Sequence, residues 1–149
     1  MVYRSRLYET LKHYVLYGTR TRNGEVPYAV ADALLGDVIE SVRARRCPYC
    51  GKVFANRAMV RRHLSADHSS PYCKAALKLD IERAVDAYVV LKKLIRKNHY
   101  MGRCRGLIYR LGEDGPEFRS KSDVGRWIRE NPEHFLAVVG LAPHGGRGR

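Results

Sequence analysis

The chain contains no glutamine, only four asparagines and no apolar run long enough to cross a bilayer. The missing run excludes a membrane-spanning helix, which needs about 18–20 consecutive apolar residues. The start does not read as a secretion signal, because Met1-Val2-Tyr3-Arg4-Ser5-Arg6 soon meets Glu9 and no apolar core follows. Cysteine is sparse: two of the four have metal-ligand spacing, while Cys73 and Cys104 stand alone and read as free thiols. That usage argues against a disulfide framework and for an intracellular protein of the cytoplasm or nucleoid, or of the nucleus in a eukaryote. Thermolabile amides are depleted in proteins from hot environments, so their scarcity, with 20 Arg against 8 Lys, leans towards a thermophile. Acidic residues are also few, 15 Asp+Glu against 28 Lys+Arg, for a net charge of +13. The surplus is +3 over residues 1–46, +3 over 47–68, +4 over 69–100 and +3 over 101–149, so it belongs to the whole surface and not to a tail. Such a field attracts polyanions, nucleic acid first.

Catalytic constellations are missing too. No nucleophile–base pair, phosphate-cradling loop or carboxylate dyad occurs at useful spacing, so the expectation is that this is not an enzyme.

What is present begins with helical periodicity. Leu7, Leu11, Tyr14 and Val15 predict an amphipathic helix over 3–17, ended by Gly18. Thr19 to Gly24 reads as a loop, and Pro27 opens a second helix to about Arg45. The loop between them is too long for a helix-turn-helix, so the pair over 1–46 reads as a packing scaffold. Ser70-Pro71 starts a third, long helix within 69–100. In it Leu77, Ile81, Ala84, Tyr88, Leu91 and Ile95 form a heptad seam, while Val85, Val89, Val90 and Leu94 broaden the stripe. The broad stripe suits burial in a core, and the seam leaves open a homodimer through 77–95. Residues 101–142 read as a β-hairpin, turning at Glu113-Asp114-Gly115-Pro116, and then a helix that Ser122 can cap; 143–149 are a cationic tail.

Between the second and third helices lies Cys47-Pro-Tyr-Cys50, twelve residues, His63, four residues and His68. This C-x2-C-x12-H-x4-H spacing suits one zinc ion, which accepts a tetrahedron of two thiolates and two imidazoles. With all four positions filled by protein, the zinc is structural. Gly51 can take the positive φ that a tight cysteine knuckle demands. Phe54 and Val60 fall where a miniature core would sit.

The segment from Cys47 to His68 resembles the Cys2His2 zinc-finger family, most closely in Cys47-Pro-Tyr-Cys-Gly-Lys-Val-Phe54. Val60 departs from the leucine usual at its position, and the resemblance covers about 22 of 149 residues. It implies a central ββα finger in a mostly helical α+β protein. It further implies that Asn56, Met59 and Arg62 face base edges when the finger helix enters a major groove. Arg62 can fork onto guanine and Asn56 onto adenine, with Met59 left for apolar contact. Arg57, Arg61 and Lys52, with Arg43, Arg45 and Arg46 ahead of the knuckle, are the phosphate candidates. Single-finger basic proteins of this kind are similar to those encoded by archaeal viruses and their hosts. The expectation is a sequence-preferring binder of double-stranded DNA serving transcriptional regulation. RNA binding, or a finger that only pins helical segments or meets a protein, stands as the alternative.

Overall fold

The computed structural model describes residues 2–19, 25–66, 70–99, 107–111 and 115–140, with the backbone alone at 2–4, 96–99 and 107–109. Six helices and three strands follow one another among these residues: α1 Val2–Tyr17, α2 Glu25–Arg43, α3 Arg57–Ser65, α4 Pro71–Leu94, β1 Ile95–His99, β2 Leu107–Leu111, β3 Glu117–Phe118, α5 Lys121–Glu130 and α6 Pro132–Val138. The protein is therefore a mostly helical α+β chain. It falls into two compact units, Met1–Arg20 with Leu35–Val85, and Thr21–Leu34 with Asp86–Arg149. No helix among the described residues is long and apolar enough to cross a membrane.

In the first unit α1 buries Leu7, Leu11, Tyr14 and Val15, the stripe that the i, i+4, i+7, i+8 spacing predicts. It stops at Gly18, which takes φ +77° and donates its N–H to the Tyr14 carbonyl at 2.8 Å. The part of α2 in this unit buries Val38, Ile39 and Val42, and α4 buries Leu77, Ile81, Ala84 and Val85. Most of the heptad seam is thus covered within the chain itself.

Helix α2 starts two residues earlier than Pro27 suggested. A proline at the third helical position lies in the first turn, where its missing N–H breaks no bond. The helix is interrupted at Leu35 (φ −120°, ψ 23°), beside Gly36 and at the boundary between the units. A glycine weakens helix locally, which makes this the least costly place for the axis to bend.

The second unit holds a three-stranded antiparallel sheet in the order β1-β2-β3. Tyr109 pairs with Phe118 and Arg110 with Glu117, confirming the hairpin; the turn residues 112–114 lie outside the described residues. Strand β1, paired from Ile95↔Leu111 to His99↔Leu107, went unseen in the sequence, where the helical stripe runs on into Ile95. Helix α5 is capped by Ser120 and not Ser122: the Ser120 backbone is extended and its Oγ accepts from Asp123 N–H at 3.2 Å. Trp127, half-buried, lies edge-on between the rings of buried Phe118 and exposed His134. Arg129 of α5 reaches Asp32 of α2 at 3.1 Å and also pairs with Glu25.

Candidate metal centre

The site is built from a knuckle, a short helix and the first turn of α4, all in the first unit. After α2, Arg45 takes a positive φ of 63°, and an isolated antiparallel bridge joins Arg46 to Val53. The chain reverses between them through Cys47 to Gly51, with Gly51 at φ +79°. Cys47 N–H donates to the Lys52 carbonyl at 2.9 Å, and Gly51 N–H to the Cys47 carbonyl at 3.0 Å. The Cys47 sulfur accepts from the N–H groups of Tyr49 and Cys50 at 3.4 and 3.5 Å. These donors favour a thiolate there. One bridge, not two strands, precedes α3.

Helix α3 begins at the Asn56 cap, whose Oδ1 accepts from Met59 N–H at 3.0 Å. It buries Val60 and Leu64 and brings His63 to the knuckle, its ring 5.0 Å from that of Phe54. The Cys50 sulfur is 3.6 Å from His63 Nε2. With metal–sulfur and metal–nitrogen bonds of about 2.3 and 2.05 Å, a tetrahedral edge between such donors measures about 3.6 Å. The pair is therefore spaced to share one ion.

A residue that spacing alone did not associate with the finger joins them. Cys73, in the first turn of α4, is 1% exposed, and its sulfur lies with those of Cys47 and Cys50 and the His63 nitrogen, all within 4.8 Å of one another. Cys47, Cys50 and His63 are thus brought together as expected. His68 lies outside the described residues, as does Cys104. Three sulfurs and one imidazole can hold a metal ion. Cys73 is no isolated thiol, and the signal that could have found it is its place five residues beyond His68, at the start of a helix.

Electrostatics favour two of the donors. The Lys52 backbone N–H holds the Cys50 thiol below its ordinary range. Burial, and then the nearby Lys52 charge, push His63 down, so that its imidazole is neutral and able to ligate. Burial pushes Cys47 up to about 11, so a metal entering here must displace the Cys47 proton.

No protein-family model, curated protein or solved structure matches this chain.

The remaining expected site residues divide by what they already hold. Met59 is 43% exposed, Arg62 is exposed, and Asn56 is exposed with Oδ1 committed to the cap. Arg61 is turned inward: its Nε donates to the Leu16 carbonyl at 2.9 Å and its guanidinium lies 4.4 Å from the Tyr17 ring centre. Arg57 Nε reaches the Arg43 carbonyl at 3.4 Å, Arg45 the Ala55 carbonyl at 3.2 Å, and Arg43 pairs with Glu40. All three stay exposed, as do Arg46 and Lys52. Replacing Arg61 by Ala is expected to cost about 1–2 kcal/mol through the lost hydrogen bond and cation–π contact. Urea denaturation of the metal-loaded protein measures it, and an unchanged midpoint would show that this junction carries no stability.

The knuckle is also tied to α4 directly. Tyr49 Oη donates to Asp80 Oδ2 at 2.7 Å, and Asp80 is the one buried charged residue among those described. A hydrogen bond to a buried carboxylate contributes about 1.5–3 kcal/mol. Tyr49→Phe is accordingly expected to lower the thermal midpoint by about 3–12 °C. A shift below about 1 °C would deny the bond a structural role.

Proposed function

We propose that this chain is a zinc-stapled DNA-binding protein, with α3 as the helix that enters the major groove and transcriptional regulation as the use of that binding. One observation carries the reading. The helix that supplies His63 to the metal cluster buries Val60 and Leu64 while Asn56, Met59 and Arg62 stand exposed on it. A short basic helix held rigidly by a metal, with its polar face outward, suits base-edge contact. Zinc suits the donors, since sulfur and imidazole in a closed tetrahedral set are its structural ligands. The ββα finger belongs to the same reading: the Arg46↔Val53 bridge followed by α3 is its abbreviated form.

A lone finger covers about three base pairs, too few for useful affinity, so further phosphate contacts are needed. The first unit offers them in an open groove of about 480 Å³ lined by Tyr8, Lys12, Leu64, Ser65, Lys74 and Lys78. None of its three lysines is ion-paired among the described residues. Exposed Arg43, Arg45, Arg46, Arg57 and Lys52 supplement them. Arg61, held at α1, is left out of the phosphate set.

Fluorescence anisotropy of the full chain with random duplex DNA and with single-stranded RNA, over a salt series, tests the reading. Duplex affinity should fall with salt at a logarithmic slope of about −0.9 per phosphate neutralised. The double variant Lys74→Glu, Lys78→Glu should reduce that slope by about 2, and Arg61→Ala should leave it unchanged. Absence of duplex binding at low salt ends the proposal. Stronger binding to RNA would transfer the function to RNA, and binding to neither would leave the metal a purely structural pin.

A further inference from the structure

We infer that Cys73, and not His68, completes the metal shell, so that a centre of three cysteines and one histidine joins the finger helix to α4. This rests on the metal reading above and takes it beyond the family pattern that the spacing suggests. Four donors within 4.8 Å of one another are enough for a tetrahedral shell without any group from outside the described residues.

The position of Cys73 is set by packing that does not depend on the ion. Asp80, the acceptor for Tyr49, follows Cys73 by seven residues on α4, two turns along the same face. The knuckle is therefore docked on that face of α4 at one point by Tyr49, and Cys73 meets its sulfurs two turns away. Leu77, between them in sequence on this face, is also buried, at 1% exposed.

The local chemistry agrees. Cys73 is the third residue of α4, its N–H is capped by Ser70 Oγ at 3.3 Å, and the first turn carries no acidic residue. Three thiolates and a neutral imidazole around a divalent ion leave one negative charge, and the exposed Lys52 ammonium beside Cys50 and His63 offsets it. Functionally, the ion then fixes the exposed face of α3 relative to Lys74 and Lys78, which stand one and five residues after Cys73 on α4. Base-reading and phosphate-holding groups become one rigid surface.

Cobalt substitution of the full-length protein tests this, because the charge-transfer absorption of the cobalt centre scales with the number of bound thiolates. Cys73→Ser should lower that absorption by roughly one third and weaken cobalt affinity on the order of 100-fold. Cys73→His should restore affinity while keeping the lowered absorption, which separates ligand loss from misfolding. His68→Ala should leave spectrum and affinity within about two-fold of the parent. Loss of the centre in His68→Ala, or a parent spectrum retained in Cys73→Ser, overturns the assignment. A parent chain that binds no cobalt overturns the metal reading with it. Spectra as expected from a protein that binds no duplex would leave the ligand assignment standing and remove only the DNA function.

Discussion

Withdrawing the metal with a chelator at neutral pH is expected to lower the thermal midpoint of the protein by more than about 10 °C and to remove part of its helical signal. Free zinc at about 10⁵ times its dissociation constant stabilises the folded form by about 7 kcal/mol. Each kcal/mol moves the midpoint of a chain this size by about 2–4 °C. Helix α3, nine residues long, is below the length at which an isolated helix persists in water. Without the ion it keeps Val60 and Leu64 as apolar anchors and the Arg61 bond to Leu16, while three sulfurs lose their common partner. Helices α1, α2 and α4 have their own buried apolar stripes and should outlast it. Circular dichroism against temperature, with and without chelator and with zinc added back, reads both effects. A midpoint that moves by less than about 2 °C would show that the cluster binds no ion of structural consequence.

Arg62→Ala is expected to relax base preference by about 1–3 kcal/mol, a factor of roughly 5–150 between the preferred site and its variant at one base pair. Arg62 is exposed on α3, and its guanidinium makes no hydrogen bond or ion pair with any described residue. It is the freest fork on that helix, since Asn56 Oδ1 caps the helix and Arg61 is bound to α1. The substitution should leave the salt slope nearly unchanged, because a base contact displaces few counterions. Selection from random duplex pools with parent and variant measures the preference directly. An identical selected sequence would place the reading element elsewhere on the chain.

The contrast between Arg61 and Arg62 shows where sequence reasoning reaches its limit. Both are arginines on one helix of a recognisable pattern, and both were read as nucleic-acid contacts. Which of the two meets solvent depends on α1, forty-five residues earlier, whose last turn supplies the Leu16 carbonyl and the Tyr17 ring. No local periodicity carries that information. Strand β1 was missed for a related reason: Ile95–His99 pairs with β2 through backbone bonds that a distant segment provides, so propensity was overridden by tertiary pairing. The Ser120 cap, by contrast, is local. Ser120 and Ser122 both suit a helix start, and only the extended Ser120 backbone selects between them.

By itself the sequence determined the helical stripes of α1, α2 and α4, the β2–β3 hairpin, the cysteine knuckle with its glycine, and the three donors Cys47, Cys50 and His63. Each of these follows from interactions that span a few residues: periodic apolar burial, turn chemistry, or ligand spacing across one short loop and one helix. Tertiary structure alone decided that α2 and α4 each contribute to both compact units, that Arg61 turns inward, and that the Cys73 sulfur lies with Cys47, Cys50 and His63. Those outcomes depend on which faces meet when helices pack. A sulfur ten residues beyond His63 becomes its neighbour because Tyr49 and Asp80 dock the knuckle against the side of α4.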